Sequence, residues 1–233
     1  IGGYHAAKLR RYQEMNDAHI APEMQKTMQA VAAAGGDMTK VNGDSIYNGA
    51  MDNASGIASM IESARDVARK KPKRSVLLVA VTVEERGLLG SRYYANRPTV
   101  PADGIVANIN MDMYLPLWPF THVTALGAEE SALGLVSARV ARDMGLSQVP
   151  DEAPERNLFV RSDQYSFVRT GVPALALKFA ATTPEQRAIQ KDWLTNRYHA
   201  PQDDLAQPIN PDYAMSFNNY LVKLITAVAD QPE

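Results

Sequence analysis

The fold class follows from one stretch of the sequence, Ser75-Val76-Leu77-Leu78-Val79-Ala80-Val81-Thr82-Val83. A continuous apolar run rich in β-branched side chains predicts a strand that is buried on both faces, as the strands of parallel sheets are. Two glutamates, Glu84 and Glu85, follow the run directly. Because α/β sheets build their sites at the carboxyl ends of strands, this junction is a candidate functional site.

Helical and extended patterns alternate along the rest of the chain. Two further strands are predicted over 104–111 and 172–179, and helices over 54–70, over 129–144 and from the Asn210-Pro211 cap to about Ala229. Such alternation predicts an α/β fold, a three-layer sandwich in which helices flank a central mixed, largely parallel β-sheet.

Composition excludes several classes of partner and site. The chain has 233 residues, 45% of them apolar, which is enough for a sizeable core. A formal net charge of −2 gives no reason to expect nucleic acid or an anionic membrane as partner. The sequence contains no Cys, so disulfides and thiolate metal sites are excluded. No apolar run reaches the ~18–20 residues that span a bilayer, and no oligomeric state is predicted.

The first residues differ from the remainder. Residues 4–34 carry two helical patterns broken at Pro22, and Gly35-Gly36 is a plausible stop. We therefore divide the chain into a helical N-terminal segment over 1–41, either an insertion or the start of a fragment, and a single globular unit over 42–233.

Acidic residues occupy three junctions of the predicted elements. Asp52 lies between a Gly-containing turn and a helix start, where it is either an N-cap or a metal-bridging carboxylate. Glu84 and Glu85 are either a solvated pair or divide two tasks, one binding metal and the other taking a proton from water. Asp112 lies among apolar residues in Asn110-Met111-Asp112-Met113, where a carboxylate is costly unless it is paired or metal-bound.

The last candidate is His199, in Tyr198-His199-Ala200-Pro201-Gln202-Asp203-Asp204. A histidine in a loop is usually a surface residue, but beside two aspartates it can be a ligand oriented by a carboxylate. Together Asp52, Glu85, Asp112 and His199 form the oxygen and imidazole donor set that suits zinc without thiolates.

In order and spacing these motifs resemble those of the co-catalytic zinc aminopeptidase family, which includes glutamate carboxypeptidase II and the glutaminyl cyclases. The resemblance covers about residues 42–229. It includes Arg161-Ser162-Asp163-Gln164-Tyr165-Ser166-Phe167, although many relatives carry His where this chain has Gln164.

The resemblance implies a role for each residue. Asp52 would bridge two zinc ions and be followed by a cis peptide, Asp112 would complete one zinc site, and Glu85 and His199 the other. Glu84 would be the general base for attack by a metal-bound hydroxide, and Tyr198 would stabilise the oxyanion. Asp163 and Tyr165 are predicted to bind the substrate, an N-terminal residue of a peptide. The implied localisation is secreted or periplasmic.

One family motif is missing. The family takes a further ligand from a His-x-Asp motif upstream of Asp52, and this chain has none. His5 and His19 lie in helix-like sequence and are interpreted as surface histidines, and His122 matches no family ligand. Either that motif precedes Ile1, or the protein has lost one zinc position and binds one ion instead of two.

Two alternatives to a zinc aminopeptidase therefore stay open. One is a glutaminyl cyclase-like enzyme with a single zinc, and the other is a non-enzymatic binding module on the same scaffold. The apolar stretch 114–120 is a candidate substrate pocket or else part of the core.

Overall fold

Four strands form a mixed sheet in the part of the chain that the structure, a computed structural model, describes: Asp44 and residues 46–231. They are β1 (Asn108–Met111), β2 (His122–Leu126), β3 (Ser147–Val149) and β4 (Ala174–Phe179), in the spatial order β1-β4-β2-β3. β1 pairs with β4 and β2 with β3 in parallel, and β2 pairs with β4 antiparallel. The prediction of a mixed, largely parallel sheet is confirmed.

Five of the longer helices form two groups, each with members that contact this sheet. The longer ones among the described residues are α1 (Ser55–Lys70), α2 (Leu89–Asn96), α3 (Leu133–Asp143), α4 (Gln164–Arg169), α5 (Pro184–Asn196) and α6 (Pro211–Ala229). α6 contacts both α1 and α3, whereas α2 contacts α4, which packs on β1 and β4. β4 is buried over Ala174–Leu177, so both of its faces are covered, as the α/β sandwich requires.

Helix starts follow local capping rules. The Asn210 side chain accepts hydrogen bonds from the backbone N–H groups of Asp212 and Tyr213, which confirms the predicted start of α6. α5 begins with a capping box, in which Thr183 and Gln186 each satisfy a backbone N–H of the other. This capping box is a sequence signal for a helix that was not among the predicted ones.

The strand predicted over 75–83 is wrong. These residues are assigned to no strand, and Leu77 and Leu78 are 48% and 47% exposed. Their composition favours an extended backbone, but a strand also needs a neighbour to complete its hydrogen bonds, and no described strand pairs with this segment. The other two predicted strands and the 129–144 helix exist but are shorter than predicted.

The apolar stretch 114–120 belongs to the core. Tyr114, Trp118 and Phe120 are buried beside Phe179 of β4 and Phe217 of α6. The rings of Tyr114 and Phe217 stack with centroids 4.3 Å apart, a geometry that adds to the stabilisation from area burial. These contacts support the second of the two interpretations, in which the stretch is part of the core.

Two observations complete the fold. The helical prediction for 1–41, with His5 and His19, lies outside the described residues. The described residues from Tyr47 onward form one compact unit. Among the described residues, no helix combines the length and apolar character that a membrane crossing demands.

Gly56, in the first turn of α1, has no room for a side chain. A Cβ at this position would lie 2.4 Å from both Asn53 Oδ1 and the Met111 carbonyl oxygen. We expect Gly56→Ala to destabilise the protein by about 1–3 kcal/mol, because the helix start would have to move away from β1. Urea unfolding followed by circular dichroism measures the change.

The matched control is Gly104→Ala, since a Cβ there meets no atom within 4 Å. We expect this control to change the free energy of unfolding by less than about 0.5 kcal/mol. Equal unfolding midpoints for the two variants would contradict the tight contact at Gly56.

Candidate metal centre

The first acidic candidate, Asp52, lies in a turn, Ala50–Ala54, that leads into α1. Gly49 opens the turn with φ +61°, in the left-handed region that glycine adopts readily. The peptide between Asp52 and Asn53 is cis, as the family resemblance implied.

Asn53 attaches this turn to the end of β1. Its Oδ1 accepts hydrogen bonds from the Gly56 and Met113 amides, both at 3.1 Å, and its Nδ2 donates to the Met111 carbonyl at 2.9 Å. With all three bonds in place, the residue after Asp52 is fixed to the segment that carries Asp112.

Asp203 holds the same turn from the other side. Its carboxylate accepts hydrogen bonds from the Met51 amide at 2.7 Å and the Asp52 amide at 2.9 Å. From the sequence, an aspartate near His199 is expected to be a partner of that histidine. The structure shows that Asp203 instead orients the backbone of Asp52.

Glu84 and Glu85 follow an unusual backbone conformation. Val83 has φ +60°, which a β-branched residue rarely adopts. The chain reverses there, with the Leu89 amide donating to the Val83 carbonyl at 3.2 Å and the Leu88 amide to the Glu84 carbonyl at 2.8 Å. This turn presents both carboxylates ahead of α2.

His199 brings two of the acidic candidates together. Its Nε2 lies 2.8 Å from Glu85 Oε1 and 3.3 Å from Asp52 Oδ2. One donor atom from each of the three residues lies within 4.8 Å of the others, and among the described residues this is the group of His and carboxylate side chains that could hold a metal ion. The predicted convergence of Asp52, Glu85 and His199 is therefore found.

Asp112 lies beside this group without joining it. It directly follows β1, and its Oδ2 accepts a hydrogen bond from Ser162 Oγ at 2.7 Å. Its negative charge still raises the pKa of both Asp52 and Glu84. Asp112 is therefore an electrostatic neighbour of the group formed by Asp52, Glu85 and His199.

Negative charge is concentrated at the centre. Burial, followed by the charges of Asp112, Glu85, Asp163 and Asp52, raises the pKa of Glu84 to about 8. Burial is also the main cause of the raised pKa of Asp52. Several carboxylates that disfavour one another's ionised form are an arrangement that a cation would stabilise.

The charge state of His199 reflects its neighbours. Hydrogen bonds to Asp52 and Glu85 raise its pKa to about 10, although burial acts in the opposite direction. The positive charge of the imidazolium thus offsets part of the negative charge of Asp52 and Glu85.

The remaining candidates differ in access to the centre. The Tyr198 ring stacks on His199 with centroids 3.7 Å apart, and burial together with the charges of Asp52 and Glu85 raises the pKa of its hydroxyl. Asp163 lies close enough for its charge to raise the pKa of Glu84, whereas Tyr165 is 2% exposed and offers no surface to a substrate. His122 bonds to Thr121 Oγ1 at 2.9 Å, at the start of β2.

Comparisons with known proteins identify the family of this chain. The model of peptidase family M28 matches residues 23–225. A probable zinc metalloprotease from Pyrenophora tritici-repentis is 42% identical over 65 residues, which are 28% of this chain and 15% of the relative.

Solved structures share the fold. A zinc aminopeptidase from Bacillus subtilis superposes on 76% of this chain with a TM-score of 0.57 and 23% identity. A glutaminyl cyclase from Porphyromonas gingivalis covers 81% of the chain with a TM-score of 0.53 and 16% identity. The chain spans 41% of the Bacillus protein and 67% of the Porphyromonas protein.

Proposed function

This chain belongs to peptidase family M28, and from that premise we propose that it carries the metal centre of a zinc-dependent aminopeptidase. The observation that carries the proposal is the meeting of Asp52, Glu85 and His199, whose donor atoms lie within 4.8 Å of one another. These residues are separated by 33 or more positions in the sequence, so only the fold unites them.

The donor set fits zinc. Carboxylate oxygen and imidazole nitrogen are ligands that zinc accepts, and catalytic zinc sites commonly use three protein ligands. We assign one ion to Asp52, Glu85 and His199, and a second to Asp52 and Asp112. Bound zinc would polarise the scissile carbonyl and make a water molecule more acidic.

Glu84 is the residue we assign as general base. It directly precedes the ligand Glu85 in the turn after Val83 and is partly buried. Its pKa is about 8 in the metal-free site. A general base works best when its pKa lies near the operating pH, because the carboxylate form is then populated and still accepts a proton readily. Glu84 would take a proton from the attacking water and return it to the leaving amine.

Tyr198 and the surplus of carboxylates would orient the peptide. The Tyr198 hydroxyl, kept protonated by its raised pKa, can donate a hydrogen bond to the oxyanion that forms from the scissile carbonyl. The negative charge around Glu84, Asp112 and Asp163 would attract the α-ammonium group of a substrate. That attraction favours cleavage after the first residue of a peptide.

The proposal is tested by offering zinc-loaded protein three substrates. These are aminoacyl p-nitroanilides, the same compounds with an acetylated amine, and peptides that begin with glutamine. We expect hydrolysis of the free-amine compounds alone. Cyclisation of the glutamine peptide without hydrolysis would favour the glutaminyl cyclase alternative, and zinc binding without turnover of any substrate would favour a binding module.

Metal binding should release protons. Because the pKa of His199 is about 10 in the metal-free site, its imidazole is protonated at neutral pH, and a metal ion requires the neutral ring. We therefore expect the apparent zinc affinity to rise with pH up to about 10. Calorimetric titration at pH 7 in buffers of different ionisation enthalpy measures the number of protons released, and a heat that is the same in every buffer would contradict it.

A further inference from the structure

Both carboxylate oxygens of Asp203 bind the turn that holds Asp52. The side chain is 3% exposed. Oδ1 accepts from the Met51 amide and Oδ2 from the Asp52 amide, while the Asp203 carbonyl accepts from the Ala50 amide at 3.0 Å. Three successive amides of the turn that holds Asp52 thus depend on this residue, which lies four positions after His199.

A second set of contacts joins Asp203 to His199. Gln207 Nε2 donates to Asp203 Oδ1 at 2.5 Å, and Gln207 Oε1 accepts from Trp193 Nε1 at 2.7 Å. The Trp193 ring lies 6.1 Å from the Tyr198 ring, which stacks on His199. All the hydrogen-bonding groups in this series are buried, so water does not replace them.

Asp52 and His199 are thus connected by two routes. On one side His199 Nε2 approaches Asp52 Oδ2 directly. On the other, the series Tyr198, Trp193, Gln207 and Asp203 leads from the imidazole back to the Asp52 amide. We call these four residues the ligand brace.

We propose that the ligand brace is a positioning device that fixes the distance between Asp52 and His199 before a metal ion arrives, with Asp203 as its key residue. The inference rests on the proposed metal centre and adds three residues, Trp193, Gln207 and Asp203, to which no contact with metal or substrate is assigned. A preformed distance favours binding, because the protein does not have to order its ligands when the ion enters. Partners of this kind typically contribute 10–100-fold to metal affinity.

The decisive variant is Asp203→Asn, which keeps the size of the side chain. An amide group offers one acceptor oxygen, so one of the donors now satisfied by the carboxylate would face an NH₂ group instead. We expect Co²⁺ affinity to fall about 10–100-fold and the visible absorption of bound Co²⁺, which reports coordination geometry, to change. With zinc, we expect kcat to fall more than KM rises.

Asp204→Asn is the matched control, because among the described residues Asp204 Oδ1 accepts a hydrogen bond from the Ala206 amide, within its own turn. We expect its Co²⁺ affinity and spectrum to equal those of the wild type. If Asp203→Asn does not fold, Trp193→Phe replaces it, since this variant keeps a ring beside Tyr198 and removes the donor to Gln207. We expect a loss of Co²⁺ affinity of about 10-fold for it.

Two failures are distinguishable. Wild-type protein that binds no Co²⁺ would overturn the proposed metal centre itself. If the wild type binds Co²⁺, and a folded Asp203→Asn variant, or Trp193→Phe in its place, binds it with the same affinity and spectrum, the brace is overturned while the metal centre stands.

Discussion

Replacing Glu84 by Gln is expected to lower kcat by about 10²–10⁴-fold while metal binding stays intact. Gln has nearly the same shape, but it cannot accept the proton of the attacking water. Because Glu84 is outside the group formed by Asp52, Glu85 and His199, the ions should remain in place. The measurement is kcat on an aminoacyl p-nitroanilide, with metal content determined on the same sample.

Glu62→Gln is the control for this experiment. Glu62 lies on the exposed side of α1, where it pairs with Arg65 at 2.6 Å, and such surface pairs contribute little. We expect wild-type kcat for the control. A Glu84→Gln enzyme with kcat within about tenfold of the wild type would show that another group takes the proton.

Replacing His199 by Ala is expected to abolish most metal binding at the centre. The imidazole lies between Glu85 and Asp52 and contributes one of the three converging donors. Loss of a direct ligand should exceed the 10–100-fold cost that is typical for the partners behind a ligand. Zinc affinity measured in competition with a chromogenic chelator gives the size of the effect, and hydrolysis should fall with it.

A histidine outside the centre provides the comparison. His122 lies at the start of β2 and bonds to the side chain of the preceding Thr121, so we expect His122→Ala to bind zinc as the wild type does. Equal affinities for the two variants would remove His199 from the ligand set.

The chemistry of the centre was more predictable from the sequence than the sheet was. A carboxylate next to a turn is visible in the sequence as a possible metal ligand. The predictions for Asp52, Glu85 and His199 therefore needed only side-chain chemistry and a family resemblance. The strand expected over 75–83 required a neighbouring strand to pair with, and the local sequence pattern does not indicate whether such a strand is present. Composition showed that the segment favours an extended backbone but not what would pair with it.

The supporting residues were hard to predict for a related reason. Asp203 acts on the backbone of Met51 and Asp52, about 150 positions away, and its own neighbourhood suggested only a partner for His199. The need for Gly56 was also not visible in the sequence, because one of the two tight contacts that exclude a side chain comes from the distant Met111 carbonyl. In contrast, the start of α5 is predictable from the sequence, because Thr183 and Gln186 have the spacing of a capping box.

The three donors come from turns that are far apart along the chain, and this has a consequence for the stability of the folded protein. An unfolded chain cannot bring residues 52, 85 and 199 together, so an ion that binds there binds the native state alone. Mass action then stabilises the fold by ~2.7 kcal/mol when the free ion exceeds its dissociation constant 100-fold. The supply of zinc would thus govern how many copies of the polypeptide survive proteolysis, as well as how many of them are active.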